Sequence, residues 1–396
     1  MVWHAKYHPI LSPLFFKYKT SCCMKKILFY FFLLFLAIAC TPSHKKKAQK
    51  AKSTESTTYA QGFTIKHYEH YIQVEVSDPW DSTRLLQRYL LIHRDKPTPA
   101  HLPKGTIVKI PIKRLVVYTS THASIIEQLG RIDCIVGVCE PRYINSKPIL
   151  RQLKEGKIAD IGEATAPFIE KIIDLNTEAI IASPFQNSGY GPAEKLGIPI
   201  IEAADYMETY PLGRAEWLHF YGLLLGAEEK ADSIFYTTEK KYQMLCQLVQ
   251  TKTTFRPTMF SEKKFGSSWF VPGGNSYMAH FFNDAGANYL FKEEPSFGSI
   301  AKSFEAVLDQ AIHANYWLIK YNSTNEMSYA SLRSEYEPYE NFDAFNEKKI
   351  YGCNTDKSPY YEEFPIHPDW LLKDFIHIFH PELFPNYSPR YFHPIK

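Results

Sequence analysis

Two stretches of this chain alternate short apolar runs with helix-patterned runs, one on each side of a long segment without breakers. That doubled alternation constrains the fold more than any other feature. In the first stretch Leu115-Val116-Val117-Tyr118 is a continuous apolar run, the pattern of a strand buried on both faces. Ser120 or Thr121 is placed to cap a helix from His122 to Leu129, whose apolar face holds Ile125, Ile126 and Leu129. Cys134–Val138, Ala179–Ala182 and the run ending at Ile201 predict further strands, and Phe168–Leu175 a helix behind Pro167. The second stretch repeats the scheme, with strands at Pro257–Ser261 and Tyr316–Ile319 and helices at Tyr277–Ala285, Ser303–Ala311 and Asp369–Phe379. Strand–helix alternation with short loops argues for parallel sheets, with ligands held beyond the carboxyl ends of the strands. Between the stretches Glu228–Gln250 carries Ala231, Phe235, Tyr242, Leu245 and Val249, spacings that stay on one helix face. A helix of about 23 residues spans roughly 35 Å at 1.5 Å per residue, enough to bridge two domains.

The first forty residues read as an address. Ile27 to Ala39 is an apolar run of 13 residues, too short for an ordinary membrane anchor. Lys25 and Lys26 precede it, and Leu36-Ala37-Ile38-Ala39-Cys40 closes it, as in a secretory signal. A cysteine after such small residues resembles a bacterial lipobox, with Cys40 lipidated as the first residue of the processed chain. On this reading 1–23 is translation assigned upstream of the true start at Met24, 24–39 is the lipoprotein signal peptide and 40–58 a flexible tether. Residues 59–113 form a β-rich lead-in, 114–226 the N-terminal α/β lobe, 227–253 the bridging helix and 254–396 the C-terminal α/β lobe. Cys134, Cys139, Cys246 and Cys353 remain, and four cysteines allow three pairings, which stay open. The apolar surroundings of Cys134 and Cys139 favour buried thiols over a metal pair.

The formal charge of +3 invites a nucleic-acid reading, but its distribution removes it. Residues 1–39 hold five lysines and no acid, leaving 40 basic against 42 acidic residues in the processed chain. Basicity therefore belongs to export and to the tether, and no nucleic-acid partner is expected.

The segments Ser120–Gly130, Ile135–Val138, Ile161-Gly162, Pro167–Ile173, Leu196–Ile200, Leu225–Glu228, Gly273–Ser276 and Asp284–Asn288 follow one another in an order and spacing similar to a known family. The chain resembles the periplasmic-binding proteins that serve ABC importers of iron–siderophores, haem and vitamin B12, over roughly Arg114 to Pro385. Thr177-Glu178 departs from the Pro-Asp usual there, and 59–113 lies outside the likeness. The resemblance implies an α/β fold of two Rossmann-like lobes with parallel sheets joined by a single long α-helix, plus the small β-rich N-terminal extension. It implies an iron or cobalt chelate as transported cargo, no catalytic cofactor, and an ABC permease with its ATPase as partners. It further implies docking on that permease through Glu170 and Glu305, one exposed carboxylate per lobe. The expected protein is a monomer in the cell envelope, facing the periplasm and touching the membrane only through Cys40.

A flat chelate wants aromatic walls and a few polar contacts. Strand-end loops offer Tyr118, Thr119, His122, Tyr143, Phe185, Gln186 and Tyr206 from the first lobe, and Trp269, Phe270, Asn275, Tyr277, Tyr321 and Tyr360 from the second. A bare-metal importer needs three or four His, Asp or Glu converging on one ion, whereas His367, His377, His380 and His393 gather near the C-terminus, away from those loops. No metal site of the protein's own is expected. The chain shows no Gly-x-Ser-x-Gly, Walker A, His-Glu-x-x-His or Gly-x-Gly-x-x-Gly motif, so the reading is not an enzyme. The competing reading is an envelope α/β enzyme that remodels or demetallates a chelate.

Overall fold

A computed structural model describes residues 51–396. The expected signal segment, Cys40 and most of the tether lie outside the described residues. Among those residues no helix is long and apolar enough to cross a membrane.

The described chain opens with a five-stranded sheet in the order β1 (Ser53–Glu55), β2 (Phe63–His67), β3 (Ile72–Ser77), β4 (Leu85–His93) and β5 (Thr106–Ile110). β1 is a correction to the tether: residues 53–55 pair antiparallel with β2, so the ordered sheet starts before Tyr59. β2 to β4 form an antiparallel meander, and β5 runs parallel to β4 after the loop at 94–105. This sheet has no separate core on its inner face. Phe63, Ile65, Val74, Val76 and Leu91 pack into one cluster with Trp217, Phe220 and the first-lobe strands, and the Phe63 and Trp217 rings meet edge-on at 4.9 Å.

Two buried carboxylates fasten the approach to this sheet. Glu216 accepts the main-chain N–H groups of Thr58, Tyr59 and Ala60 at 2.7, 2.8 and 2.7 Å. Glu208 accepts those of Gln61 and Gly62, together with the Trp217 indole N–H at 2.8 Å. Gly62 is required there, because a Cβ would stand 2.8 Å from both Glu208 Oε1 and the Trp217 ring.

The first lobe is built on β6 (Leu115–Val117), β7 (Ile135–Val138), β8 (Ala159–Asp160), β11 (Ala179–Ala182) and β12 (Ile200–Glu202) in the order β12-β11-β6-β7-β8, all parallel. A two-residue-stranded hairpin, β9 (Gly162–Glu163) and β10 (Ala166–Pro167), follows β8. β6, β7 and β11 are buried throughout, as continuous apolar runs predict. The helix after β6 spans Ser120–Gln128, and its N-cap is Thr119, ahead of the expected Ser120 or Thr121.

The second lobe holds β13 (Thr258–Ser261), β16 (Asn288–Tyr289), β18 (Tyr316–Tyr321), β19 (Ile350–Asn354) and β20 (His393–Pro394) in the order β16-β13-β18-β19-β20. Only β20, at the edge, is antiparallel. An antiparallel trio of β14 (Lys264–Phe265), β15 (Ser268–Pro272) and β17 (Ser299–Lys302) lies beside it. The Gly273-Gly274 turn after β15 sits against 292–298 so closely that a Cβ on Gly274 would fall 1.9 Å from the Lys292 carbonyl oxygen. Between the lobes one unbroken helix runs from Glu228 to Lys252, 25 residues, burying Ala231, Phe235, Tyr242 and Val249 from the expected stripe. Glu228 and Glu229 stand in its first turn and Lys252 in its last, each opposing the local end of the helix dipole.

Candidate ligand-binding cleft

Where parallel strands stop, their loops leave the core together, and here both sheets do so toward one cleft. A cavity of about 770 Å³ is walled on the second-lobe side by Glu262 and Lys263 after β13, Phe270 in β15, Tyr277, and Lys320, Tyr321 and Asn322 at the end of β18. Its first-lobe wall is the turn Tyr206-Met207-Glu208. A more polar cavity of about 640 Å³ shares Asn322 and Tyr361 with it and is lined by Thr119, Thr121, Glu140, Arg142, Tyr143 and Asn145. Phe265, Phe297 and Phe270 stand 80%, 64% and 43% exposed on the first cavity's wall. Aromatic rings left in water beside a cavity of this size are the mark of a surface kept for a ligand.

The charges in this wall are held in place. Lys320 is ion-paired with Glu262. Burial alone would pull the Lys320 pKa down, but the Glu262 carboxylate outweighs it and the ammonium titrates above its ordinary value. Glu262 adopts a left-handed φ of 67°. Its N–H donates to Leu318 O at 2.8 Å and its carbonyl accepts from the Trp317 indole at 2.6 Å, so the strand end is over-determined. Lys263 pairs with Glu335. Lys264 has no carboxylate partner among the described residues; it donates to Gly266 O at 2.7 Å and lies 4.9 Å from the centre of the Tyr336 ring.

Beneath the first-lobe wall, Asp205 accepts from Arg214 at 3.0 Å and Tyr221 Oη at 3.0 Å, and His122 Nε2 lies 3.3 Å away. Burial would raise the Asp205 pKa, yet the Arg214 charge and the His122 contact bring it down to about 2. Arg214 also faces the Phe364 and Tyr277 rings of the second lobe at 5.0 and 5.7 Å. The lobes are tied again where Thr121 Oγ1 donates to Tyr361 O at 3.0 Å, Asn145 N to Glu362 at 2.8 Å, and His367 meets Gln128 at 2.6 Å.

Tyr206, Phe270, Tyr277, Tyr321 and Tyr360 line the aromatic cavity, although Tyr360 shows only 1% of its surface. Thr119 and Tyr143 line the polar one. Tyr118 and Phe185 border a third, of about 220 Å³, and Gln186 is exposed on the same loop. Three expectations are corrected. Trp269 is buried at the centre of the second-lobe core, its indole donating to Ser261 O at 3.0 Å. His122 is buried between Thr119 and Asp205 and has no free face for a metal. Asn275 donates to Pro295 O at 3.0 Å within its turn and is not in the cleft wall. Glu170 and Glu305 are both exposed, each in the first turn of its helix, Ile169–Asp174 and Phe304–Ala311. Sequence reading missed Glu262, Lys264, Lys320, Phe265, Phe297 and Arg142. The signal was available for Glu262 and Lys320, since each directly follows a predicted strand.

The family model described as periplasmic binding protein matches residues 115–356. An uncharacterized lipoprotein of Methanocaldococcus jannaschii is 26% identical over 364 residues, 86% of this chain and 85% of the relative. The petrobactin-binding protein of Bacillus subtilis is 29% identical over 109 residues, 27% of this chain and 33% of that protein. The periplasmic heme-binding protein of Roseiflexus shares the fold at 17% identity and a TM-score of 0.54, covering 68% of this chain and 98% of its own.

Proposed function

Because the chain belongs to the periplasmic binding protein family, we propose that it is a lipid-anchored substrate-binding protein of an ABC importer that captures a metal chelate in its interlobe cleft. The observation that carries this is the cavity of about 770 Å³ at the carboxyl ends of two parallel sheets, rimmed by exposed Phe265, Phe270 and Phe297 and edged by lysines. Flat, conjugated cargo stacks on such rings, and Lys264 offers a charge to an anionic edge. Haem, a ferric siderophore or a corrinoid fits this description, and the family relatives include a petrobactin-binding and a heme-binding protein. The cavity carboxylates favour holding over turnover: Glu262 is paired with Lys320 and Glu208 is saturated by N–H donors. Lipidation at Cys40 fits the lipoprotein relative. Docking through Glu170 and Glu305 is supported by their exposure, one on each lobe, where an arginine pair on a permease can grip both.

The test is a titration of purified protein lacking the lipid anchor with haem, a ferric trihydroxamate and cyanocobalamin, followed by tryptophan and tyrosine emission. One of the three is expected to bind with a one-to-one end point at micromolar affinity or tighter. No quenching by any of them sinks the cargo reading.

A further inference from the structure

The first-lobe wall of the aromatic cavity is held partly from outside its own lobe. That wall is the turn Tyr206-Met207-Glu208. It is a single 3₁₀ turn over Asp205–Met207, closed by Met207 N donating to Ala204 O at 2.9 Å and Glu208 N to Asp205 O at 3.2 Å. A turn so short, with the poorer bond geometry of its class, holds its shape weakly by itself. A buried carboxylate pins it at each end instead. Asp205 is fixed by Arg214 and Tyr221 of the same lobe. Glu208, 5% exposed, is fixed by the Trp217 indole and by the N–H groups of Gln61 and Gly62 at 3.0 and 2.8 Å. Those two donors belong to the lead-in, which precedes the family domain at 115–356.

Residues 58–62 are anchored in turn on two further elements. Glu216, at the end of the helix Pro211–Glu216, accepts the N–H groups of Thr58, Tyr59 and Ala60. The Tyr59 hydroxyl donates to Glu239 at 2.7 Å and accepts from Gln243 at 2.7 Å, both on the bridging helix. The segment therefore runs from the helix that joins the lobes to the wall of the cleft. Its bonds to Glu208 and Glu216 end on carboxylates, the stronger kind of main-chain hydrogen bond.

We propose that residues 58–62 are a strap that sets the first-lobe wall of the cleft, with Glu208 as the positioning residue. The lead-in then contributes to affinity without touching the ligand, because a wall fixed before binding spares the cost of ordering it afterwards. The inference rests on the cleft being the ligand site.

Protein labelled with ¹³C at methionine methyls reads the wall directly, through the Met207 resonance identified by its loss in Met207→Leu. Gly62→Ala acts from the strap side, since its Cβ would stand 2.8 Å from both Glu208 Oε1 and the Trp217 ring. Glu208→Gln keeps the size of the side chain but turns a donor toward the strap, and it serves where Gly62→Ala does not fold. Each is expected to shift the Met207 resonance. Each should also weaken by about tenfold whichever of haem, ferric trihydroxamate or cyanocobalamin the parent protein binds, well below the unfolding midpoint. Val74→Ala, which opens a gap in the buried part of β3, is the control for simple destabilisation. It should lower the midpoint and leave the Met207 resonance and the affinity unmoved. An unmoved Met207 resonance, an unchanged affinity for a chelate that does bind, or an equal loss of affinity in Val74→Ala overturns the strap. A Met207 shift with all three chelates silent on the parent leaves the strap standing and overturns the cargo reading instead.

Discussion

One face of the first-lobe sheet packs with Val116, Val136, Ile161, Ile172, Ile180 and Ala182, whereas the second lobe packs the same kind of sheet with Phe260, Trp269, Trp317, Tyr339 and Phe342. In the second lobe the Phe260 and Trp317 rings lie 5.0 Å apart, and Trp269 and Trp317 5.6 Å apart. The difference carries through to the cleft. Aliphatic strands of three or four residues end early and hand the cleft over to capping loops, so the first lobe offers hydroxyls at Thr119 and Thr121. Aromatic strands place one ring inside and the next outside, as Trp269 and Phe270 do, so the second lobe offers ring faces. One scaffold thus presents two chemistries to one cleft.

The largest expected effect tests whether the lobes are equal outside the cleft. Glu170→Arg with Glu305→Arg should abolish uptake in cells while leaving chelate affinity of the purified protein intact, and the two single reversals should impair uptake equally. Unequal singles would break the symmetry; lost affinity would mean the two carboxylates are misplaced. Next comes the aromatic core. Trp317→Ala should destabilise by about 4 kcal/mol in urea unfolding, since it empties the centre of a ring cluster. The seam between the lobes follows. Asp205→Asn strands Arg214 without its charge partner and should cost about 3 kcal/mol.

Titration distinguishes two windows at the same seam. Asp205 is held down at about 2, so its stabilisation is full above about pH 4 and is lost as pH falls toward 2. Burial lowers His367 to about 4, against an unfolded value near 6.5. The unfolded chain then binds the extra proton, so stability is full above about pH 6.5 and falls by roughly 3 kcal/mol toward pH 4. His367→Gln should flatten that slope without touching the lower one. The smallest effect belongs to the aliphatic face of the first lobe, where Ile180→Val should cost about 1 kcal/mol and leave binding unchanged. A cost near that of Trp317→Ala would erase the contrast between the cores.

Much of this was legible in residue order. β6 and β11 announce themselves because strands buried on both faces must be apolar throughout, and the bridging helix because five apolar residues keep one face over its length. What the order hides is direction. Trp269 and Phe270 are neighbours in one strand, and alternation permits only one of them to face the cleft, but the pattern does not say which. Tyr360 and Tyr361 pose the same problem on a short helix, where the exposed neighbour, Tyr361, reaches both cavities. Long-range pairing is equally silent. Nothing near Tyr89 shows that its hydroxyl will accept from Glu202 N at 2.7 Å and donate to Ile200 O at 3.0 Å on the edge of β12. The union of the lead-in with the first lobe is therefore visible only once the chain is folded.

That union is written in the main chain. Because Glu208 and Glu216 grip the N–H groups of residues 58–62, they read backbone rather than side chains, while Gly62 is constrained by its shape, Ala60 by its burial and Tyr59 by its bond to Glu239. Relatives that share the extension should accordingly keep both glutamates and the glycine while the exposed Thr58 and Gln61 drift freely. The graft of an N-terminal sheet onto this lobe would then be traced in a genome through three letters, two of which lie about 150 positions downstream of the strands they hold.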